Sequence, residues 1–168
     1  MQKSDPENYA IVMTTPIDGF DGKLGVVIEN GAVNAIDFLS PEVVTKPAKD
    51  PFSKKVEQEL LAYFENPAFE FSISVSLQGT VFRSRVWSLL KKIPIGETRS
   101  YGEVAQELKS SARAVGGACR DNPVPFIIPC HRVIAQTGIG GYSGETDGWK
   151  MNIKRWLLAH ESNPKMHS

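Results

Sequence analysis

Ser100-Tyr101-Gly102-Glu103-Val104-Ala105-Gln106-Glu107-Leu108-Lys109-Ser110-Ser111-Ala112-Arg113-Ala114-Val115-Gly116-Gly117-Ala118-Cys119 decides the fold of the second half of this chain. Ser100 and Glu103 have the S-x-x-E spacing of a capping box, in which each side chain satisfies the other residue's exposed backbone N–H. A short helix over Tyr101–Leu108 follows from it. Ser110-Ser111 caps a second helix over 112–119, and Arg120-Asp121-Asn122-Pro123 ends it. Two short helices joined by a tight turn have the form of a helix-turn-helix. The second helix is smooth. Gly116 and Gly117 each cost about 1 kcal/mol in a helix interior, so the sequence tolerates a penalty there. Ala112, Ala114, Gly116 and Gly117 let the helix approach another surface closely, either a packed neighbour or a phosphate backbone. Arg113 is the lone probe on that surface.

Downstream lies the stretch with reactive chemistry, Phe126-Ile127-Ile128-Pro129-Cys130-His131-Arg132-Val133. A thiolate is strongly nucleophilic, and a neighbouring base or cation raises its population near neutral pH. A free cysteine is also a common small core residue, so Cys-His alone leaves both roles open. Neighbours on an extended strand point to opposite faces. Cooperation between Cys130 and His131 therefore requires a backbone bend, which Pro129 favours, or a bridging water.

Outward from this region, Val81 to Lys91 reads as a helix with Phe82, Val86, Leu89 and Leu90 on one face. A last helix over 149–160 turns Ile153, Trp156 and Leu157 inward. The first half reads α/β. Residues 10–13 form a short strand. Residues 24–28 and 32–39 form a hairpin about Asn30-Gly31, a turn dipeptide that tolerates positive φ. Asp50 caps a helix with Pro51 at its first position. Phe52, Val56, Leu60 and Phe64 form its buried stripe. Asn66-Pro67 stops it, and Phe71-Ser72-Ile73-Ser74-Val75 alternates as a strand.

The formal net charge of zero conceals a division. Residues 1–75 hold 6 Lys/Arg against 12 Asp/Glu, a balance of −6, whereas residues 76–168 hold 13 against 7, a balance of +6. Such asymmetry points to a polyanionic partner, nucleic acid first, or to a basic surface that offsets an acidic neighbour. No apolar run approaches the ~18 residues of a membrane span. The polar start, Met1 to Asn8, carries no secretory segment, which implies a reducing, cytoplasmic setting. A Cys119–Cys130 disulfide can be drawn on paper but is not expected in a reducing compartment, and Cys119 reads as a core filler. Neither Cys-x-x-Cys nor His-x3-His spacing occurs, so no metal site is expected.

Gly96-Glu97-Thr98-Arg99-Ser100-Tyr101, Ala112-Arg113-Ala114-Val115-Gly116, Asn122-Pro123-Val124-Pro125, Ile128-Pro129-Cys130-His131-Arg132-Val133 and Gly141-Tyr142-Ser143-Gly144 occur in this order. Over residues 79–161 the chain resembles the C-terminal domain of the O6-alkylguanine-DNA alkyltransferases. The first half is similar only in length and strand-helix pattern. The resemblance implies a ribonuclease H-like α/β domain over 1–76, followed over 77–168 by a mainly helical, winged helix-turn-helix domain for DNA binding and alkyl transfer.

It also implies direct reversal of DNA damage. An alkylated guanine is flipped from the duplex and its O6-alkyl group passes irreversibly to Cys130. His131 serves as base through a water, and Glu161 orients the imidazole. Tyr101 protonates or hydrogen-bonds the departing guanine, and Asn122 organises the active-site turn. Arg113 enters the stack and fills the vacancy. Ala112, Ala114, Gly116, Gly117, Tyr101 and Arg120 face the DNA, in the minor groove. Pro129, Val133, Tyr142 and Ser143 form the base pocket. A monomer with no cofactor follows, acting on duplex DNA that contains O6-alkylguanine, in the nucleoid of a prokaryote or the nucleus of a eukaryote. The zinc site of some members is absent, since no cysteine precedes Cys119 and no histidine precedes His131.

A lesion-binding relative without transfer would lack Cys130. A cysteine hydrolase would turn over repeatedly. A sequence-specific regulator needs side chains that read base edges, which the smooth helix does not offer.

Overall fold

The computed structural model describes residues 5–162 of the chain. The first four residues of the polar N-terminal stretch, and His167, lie outside them. The chain divides into two compact units between Leu77 and Gln78.

In the first unit, β1 (Ile11–Thr14), β2 (Lys23–Glu29) and β3 (Ala32–Leu39) form an antiparallel sheet in the order β1-β2-β3. Ile11 pairs with Val26 and Val26 with Ile36, and a bulge interrupts β2 between Val27 and Ile28. Asn30 and Gly31 both have positive φ, 53° and 72°. These values fit the two-residue turn that follows the right-handed twist of a hairpin.

Helix α1 (Pro51–Glu65) starts where Asp50 accepts the Ser53 N–H at 2.9 Å. Val56, Leu60 and Phe64 are buried as the periodicity predicts, while Phe52 is half-buried. Glu59 is buried as well. Its carboxylate accepts the backbone N–H of Ser72 (2.8 Å) and of Ile73 (3.3 Å), and the Ser72 hydroxyl (2.7 Å). That is why residues 71–75 do not form the expected strand. A side chain has taken two of its ladder donors, and only a single parallel bridge, Val33 to Val75, remains.

The second unit holds α2 (Val81–Leu90), α3 (Tyr101–Leu108), α4 (Ala112–Arg120) and α5 (Trp149–Ser162). Between them run β4 (Arg99–Ser100) and β5 (Val133–Ile134), a parallel pair too short to show in the sequence. The capping residues do what their types predict. Thr80, Ser100 and Ser111 accept the N–H groups of Arg83, Glu103 and Ala114. Among the described residues only the Ser100 half of the capping box forms. Lys109, at φ 54°, ends α3 in the left-handed conformation, and Ser111 starts α4 two residues later. Trp87 ties α2 to α4 through its indole N–H to the Ala118 carbonyl, at 2.9 Å.

Val86, Leu90, Val104, Val115, Ile128, Val133, Ile153 and Leu157 are the apolar centre of this unit. Trp156 departs from expectation. It is half-buried and stacks on the His160 ring at 4.6 Å, while Lys154 takes a fully buried place on the inner face of α5.

Candidate active site

Cys130 to Arg132 form a single 3-10 turn, with Pro129 at φ −83° and ψ 67°. Of the two routes by which Cys130 and His131 could cooperate, the backbone bend is present. The approach to the turn is built around Asn122. Its Oδ1 accepts the Val124 N–H at 3.0 Å, while Nδ2 donates to the Ile128 carbonyl and to Cys130 Sγ, each at 2.9 Å. One side chain therefore fixes both ends of the loop and the sulfur. Phe126, buried inside it, has φ 73°. A bulky residue there stores on the order of 1–3 kcal/mol of backbone strain, held by the prolines and the Asn122 bonds around it.

Cys130 is 6% exposed. Burial pushes its thiol well above the ordinary cysteine range, and the neighbouring Cys119 adds to this. The Asn122 hydrogen bond and the Lys154 ammonium pull the other way. The resting group is a thiol that ionises only when a base takes its proton.

A candidate for that base is next in the chain. His131 is fully buried, and its Nε2 lies 2.7 Å from Glu161 Oε2. The Arg132 guanidinium grips the same carboxylate, Nε to Oε1 at 2.8 Å and Nη2 to Oε2 at 3.0 Å, and donates through Nη1 to the Ile93 carbonyl at 2.7 Å. Burial alone would raise the Glu161 carboxyl. Its hydrogen bonds and charge contacts with His131 and Arg132 outweigh that and hold it well below the usual carboxylate range. An ionised Glu161 needs a donor, so Nε2 of His131 carries the hydrogen. Nδ1 is then a lone pair, buried and without a hydrogen-bond partner among the described residues. Burial lowers the imidazole's pKa and Glu161 only partly restores it, which keeps the ring neutral and able to accept.

Cys130 sits in a cleft of about 180 Å³ lined also by Tyr101, Gly116, Cys119, Arg120 and residues 141–146. Residues 142–145 make a tight hairpin, with Tyr142 and Glu145 exchanging backbone bonds of 2.8 and 3.0 Å. Ser143 and Gly144 have φ of 53° and 86°. A side chain at Gly144 would press on Arg120 at 3.1 Å. The Tyr101 hydroxyl donates to the Gly141 carbonyl at 3.3 Å. Burial, and secondarily the two cysteines, push its pKa up to about 12, so it remains a donor.

The expected residues are therefore partly gathered. Tyr101, Cys130, Tyr142, Ser143, Gly116 and Arg120 share the cleft. Asn122, His131 and Glu161 do not line it but hold or adjoin the cysteine turn. Pro129 and Val133, expected in the pocket, are buried without lining it. Val133 instead belongs to β5, and its carbonyl accepts Lys154 Nζ.

Ala112 and Arg113 are exposed on α4, and Ala114, Gly116 and Gly117 are half-buried. A Cβ added at Gly116 or Gly117 would meet nothing within 4 Å. Close packing against a described residue is therefore not what keeps these two positions small, and Gly116 borders the Cys130 cleft.

Three residues were not assigned from sequence. Arg132 clamps Glu161. Lys154 donates to the Val133 and Gly141 carbonyls at 2.8 Å each and lies 5.8 Å from the Tyr101 ring. Burial lowers its pKa to about 8, against the opposing pull of Cys119 and Cys130. Its spacing to Leu157 and Glu161 on α5 puts it on the inward stripe, a signal that was available. Cys119, expected as a core filler, is buried but lines the same cleft as Cys130.

A family model described as the DNA binding domain of 6-O-methylguanine DNA methyltransferase matches residues 81–163. A Mycobacterium tuberculosis protein, methylated-DNA–protein-cysteine methyltransferase, is 46% identical over 120 residues, which covers 70% of this chain and 69% of that protein. A protein of the same description from Methanosarcina mazei is 42% identical over 115 residues, 67% of this chain and 70% of its own. The crystal structure of Mycobacterium tuberculosis OGT in complex with DNA is similar with a TM-score of 0.74 at 38% identity, over 91% of this chain and 92% of that one.

Proposed function

The chain belongs to the methylated-DNA–protein-cysteine methyltransferases, and from that membership we propose that it repairs alkylated DNA by moving the O6-alkyl group of a flipped guanine onto Cys130. The observation that carries this is a buried thiol held by Asn122 in a base-sized cleft, next to an imidazole whose free nitrogen is a lone pair.

The Cys130 proton passes through a water to Nδ1 of His131, and Glu161, held ionised by Arg132, stabilises the imidazolium that results. Cys130 Sγ then bonds to the alkyl carbon as the carbon–O6 bond breaks, and its electron pair goes to the guanine. Tyr101 gives the departing base a proton or a hydrogen bond. Lys154 ties the Val133 carbonyl to that of Gly141, a cleft residue whose carbonyl Tyr101 also contacts. Tyr142 and Ser143 contribute the hairpin over the extruded base.

The finer fold labels go with this function. Residues 1–76 act as a structural domain with ribonuclease H-like strands, and 77–168 as a winged helix-turn-helix built on α3 and α4. Helix α4 lies in the minor groove, where its open glycines allow close approach. Arg113 fills the space left by the flipped base, which costs a few kcal/mol to extrude, and Arg120 adds a contact at the rim. Phosphate contacts make binding largely independent of sequence. The protein acts as a monomer, wherever the DNA is: the nucleoid of a prokaryote or the nucleus of a eukaryote. A thioether is not cleaved by water as an acyl-enzyme is, so each molecule acts once and needs no cofactor.

Transfer of a labelled methyl group from O6-methylguanine in a duplex tests this. The wild-type protein is expected to take up the label. Cys130→Ala is expected to bind the lesion duplex as before and take up none. Label on the Cys130→Ala protein would overturn the assignment of the acceptor.

A further inference from the structure

Alkyl transfer as derived above uses one thiol, yet the cleft contains two. Cys119 lies in the last turn of α4 and is buried, and it lines the same 180 Å³ cleft as Cys130. Both cysteines are free. Asn122 connects them. Its backbone N–H is bonded to the Cys119 carbonyl at 3.2 Å, and its side chain holds Cys130 Sγ at 2.9 Å. The cleft is bordered by exposed residues, Arg120, Gly144, Glu145 and Thr146, so a solute as small as a peroxide reaches it from solvent.

We propose that Cys119 is a resolving thiol for Cys130, closing a Cys119–Cys130 disulfide when a peroxide oxidises the acceptor and so switching alkyl transfer off reversibly. The loss of activity rests on Cys130 being the acceptor; the disulfide itself does not.

The chemistry balances in two steps. Cys130 thiolate attacks one peroxide oxygen, the O–O bond breaks, and water leaves once the departing oxygen is protonated. The sulfur, oxidised by two electrons, is now a sulfenic acid. Cys119, as thiolate, then attacks that sulfur. The S–S bond forms, the S–O bond breaks, and the hydroxide leaves as water with a proton. Two thiols and one hydrogen peroxide become one disulfide and two waters. A dithiol reductant supplies the two electrons that reverse it.

To form the bond the sulfurs must close to about 2.05 Å. Cys119 is the penultimate residue of α4, and the turn at Asp121 and Asn122 that follows is where the backbone can give. Asn122 releases the Cys130 sulfur as the bond forms. The consequence suits a residue used once. Without a neighbour, sulfenic Cys130 would proceed to sulfinic acid, which reductants do not restore. The disulfide stops that and preserves the acceptor.

The test treats the full chain with hydrogen peroxide and then reads intact mass, free thiols and methyl uptake from O6-methylguanine duplex, each before and after dithiothreitol. Expected are the loss of two hydrogens from a monomeric mass, the loss of both thiols, and loss of methyl uptake that dithiothreitol restores. Cys119→Ser, compared with its own untreated activity, is expected to gain oxygen at Cys130 and to lose uptake that dithiothreitol does not restore. Oxygen on Cys130 with Cys119 still titratable in the wild type would overturn the proposal. So would an intermolecular dimer, or an equal recovery in Cys119→Ser. Methyl uptake by untreated protein that forms no disulfide would sink the proposal alone. A disulfide in a protein that never takes up methyl would sink the acceptor assignment and leave the resolving thiol standing.

Discussion

At the scale of single residues, the proposed chemistry rests on Glu161 carrying a charge that the Arg132 guanidinium and the Nε2 hydrogen of neutral His131 share. Removing one member of a buried ion pair leaves the other uncompensated, at a cost on the order of 3–5 kcal/mol. Glu161→Gln should therefore lose stability of that order in urea unfolding. It should also slow single-turnover methyl transfer, because the neutral amide can still accept the Nε2 hydrogen of His131 but no longer stabilises an imidazolium by charge. Because burial keeps His131 below its usual 6.5, Nδ1 stays an acceptor as pH falls through 6.5. The transfer rate should hold level there and drop only at lower pH; an inflection at or above 6.5 would contradict the assignment. Stability follows the same shift. Below 6.5 the unfolded chain takes up a proton that the folded chain refuses, so stability is full above 6.5 and is lost as pH falls toward the folded value. Urea midpoints measured across that range check the sign. Cys130 and His131 stood in a motif as candidates, whereas Glu161 followed only from the family resemblance. Arg132 and Cys119 could not be assigned, since a side chain's partner across the fold leaves no trace in local spacing.

Helix α4 carries the element-scale claim. Its glycines have no described residue against them, and Gly116 borders the Cys130 cleft, which leaves this face open to the proposed DNA contact. Gly117→Ala should leave the fold intact, or stabilise it by up to about 1 kcal/mol, while weakening binding to duplex DNA. Thermal unfolding and a DNA titration on the same sample separate the two effects. A stability loss with unchanged DNA affinity would mean the helix is smooth for an internal reason. The helices of both units were legible because caps and apolar periodicity are local signals: Asp50, Ser100 and Ser111 each start a helix where their chemistry predicts, and Thr80 caps α2 in the same way. Residues 71–75 were not, although their alternation is real, because Glu59 competes for the backbone donors a strand would use. Strands β4 and β5 are two residues each, too short for any alternation to register.

Across the whole molecule, charge and division coincide. The chain is neutral overall, yet its second half carries the excess of cations, and the break between units falls at Leu77 and Gln78. A neutral protein that binds through a cationic half should still show the counterion signature, with log affinity for duplex DNA falling linearly as log salt rises. Affinity indifferent to salt would place binding elsewhere. Everything else converges on the fate of one sulfur. Peptide mass mapping after exposure to excess O6-methylguanine duplex follows that fate directly. The expected result is one methyl group per protein molecule, on the peptide containing Cys130, with demethylated DNA never exceeding the protein supplied. More than one repaired guanine per molecule, with Cys130 left unmodified, would contradict it.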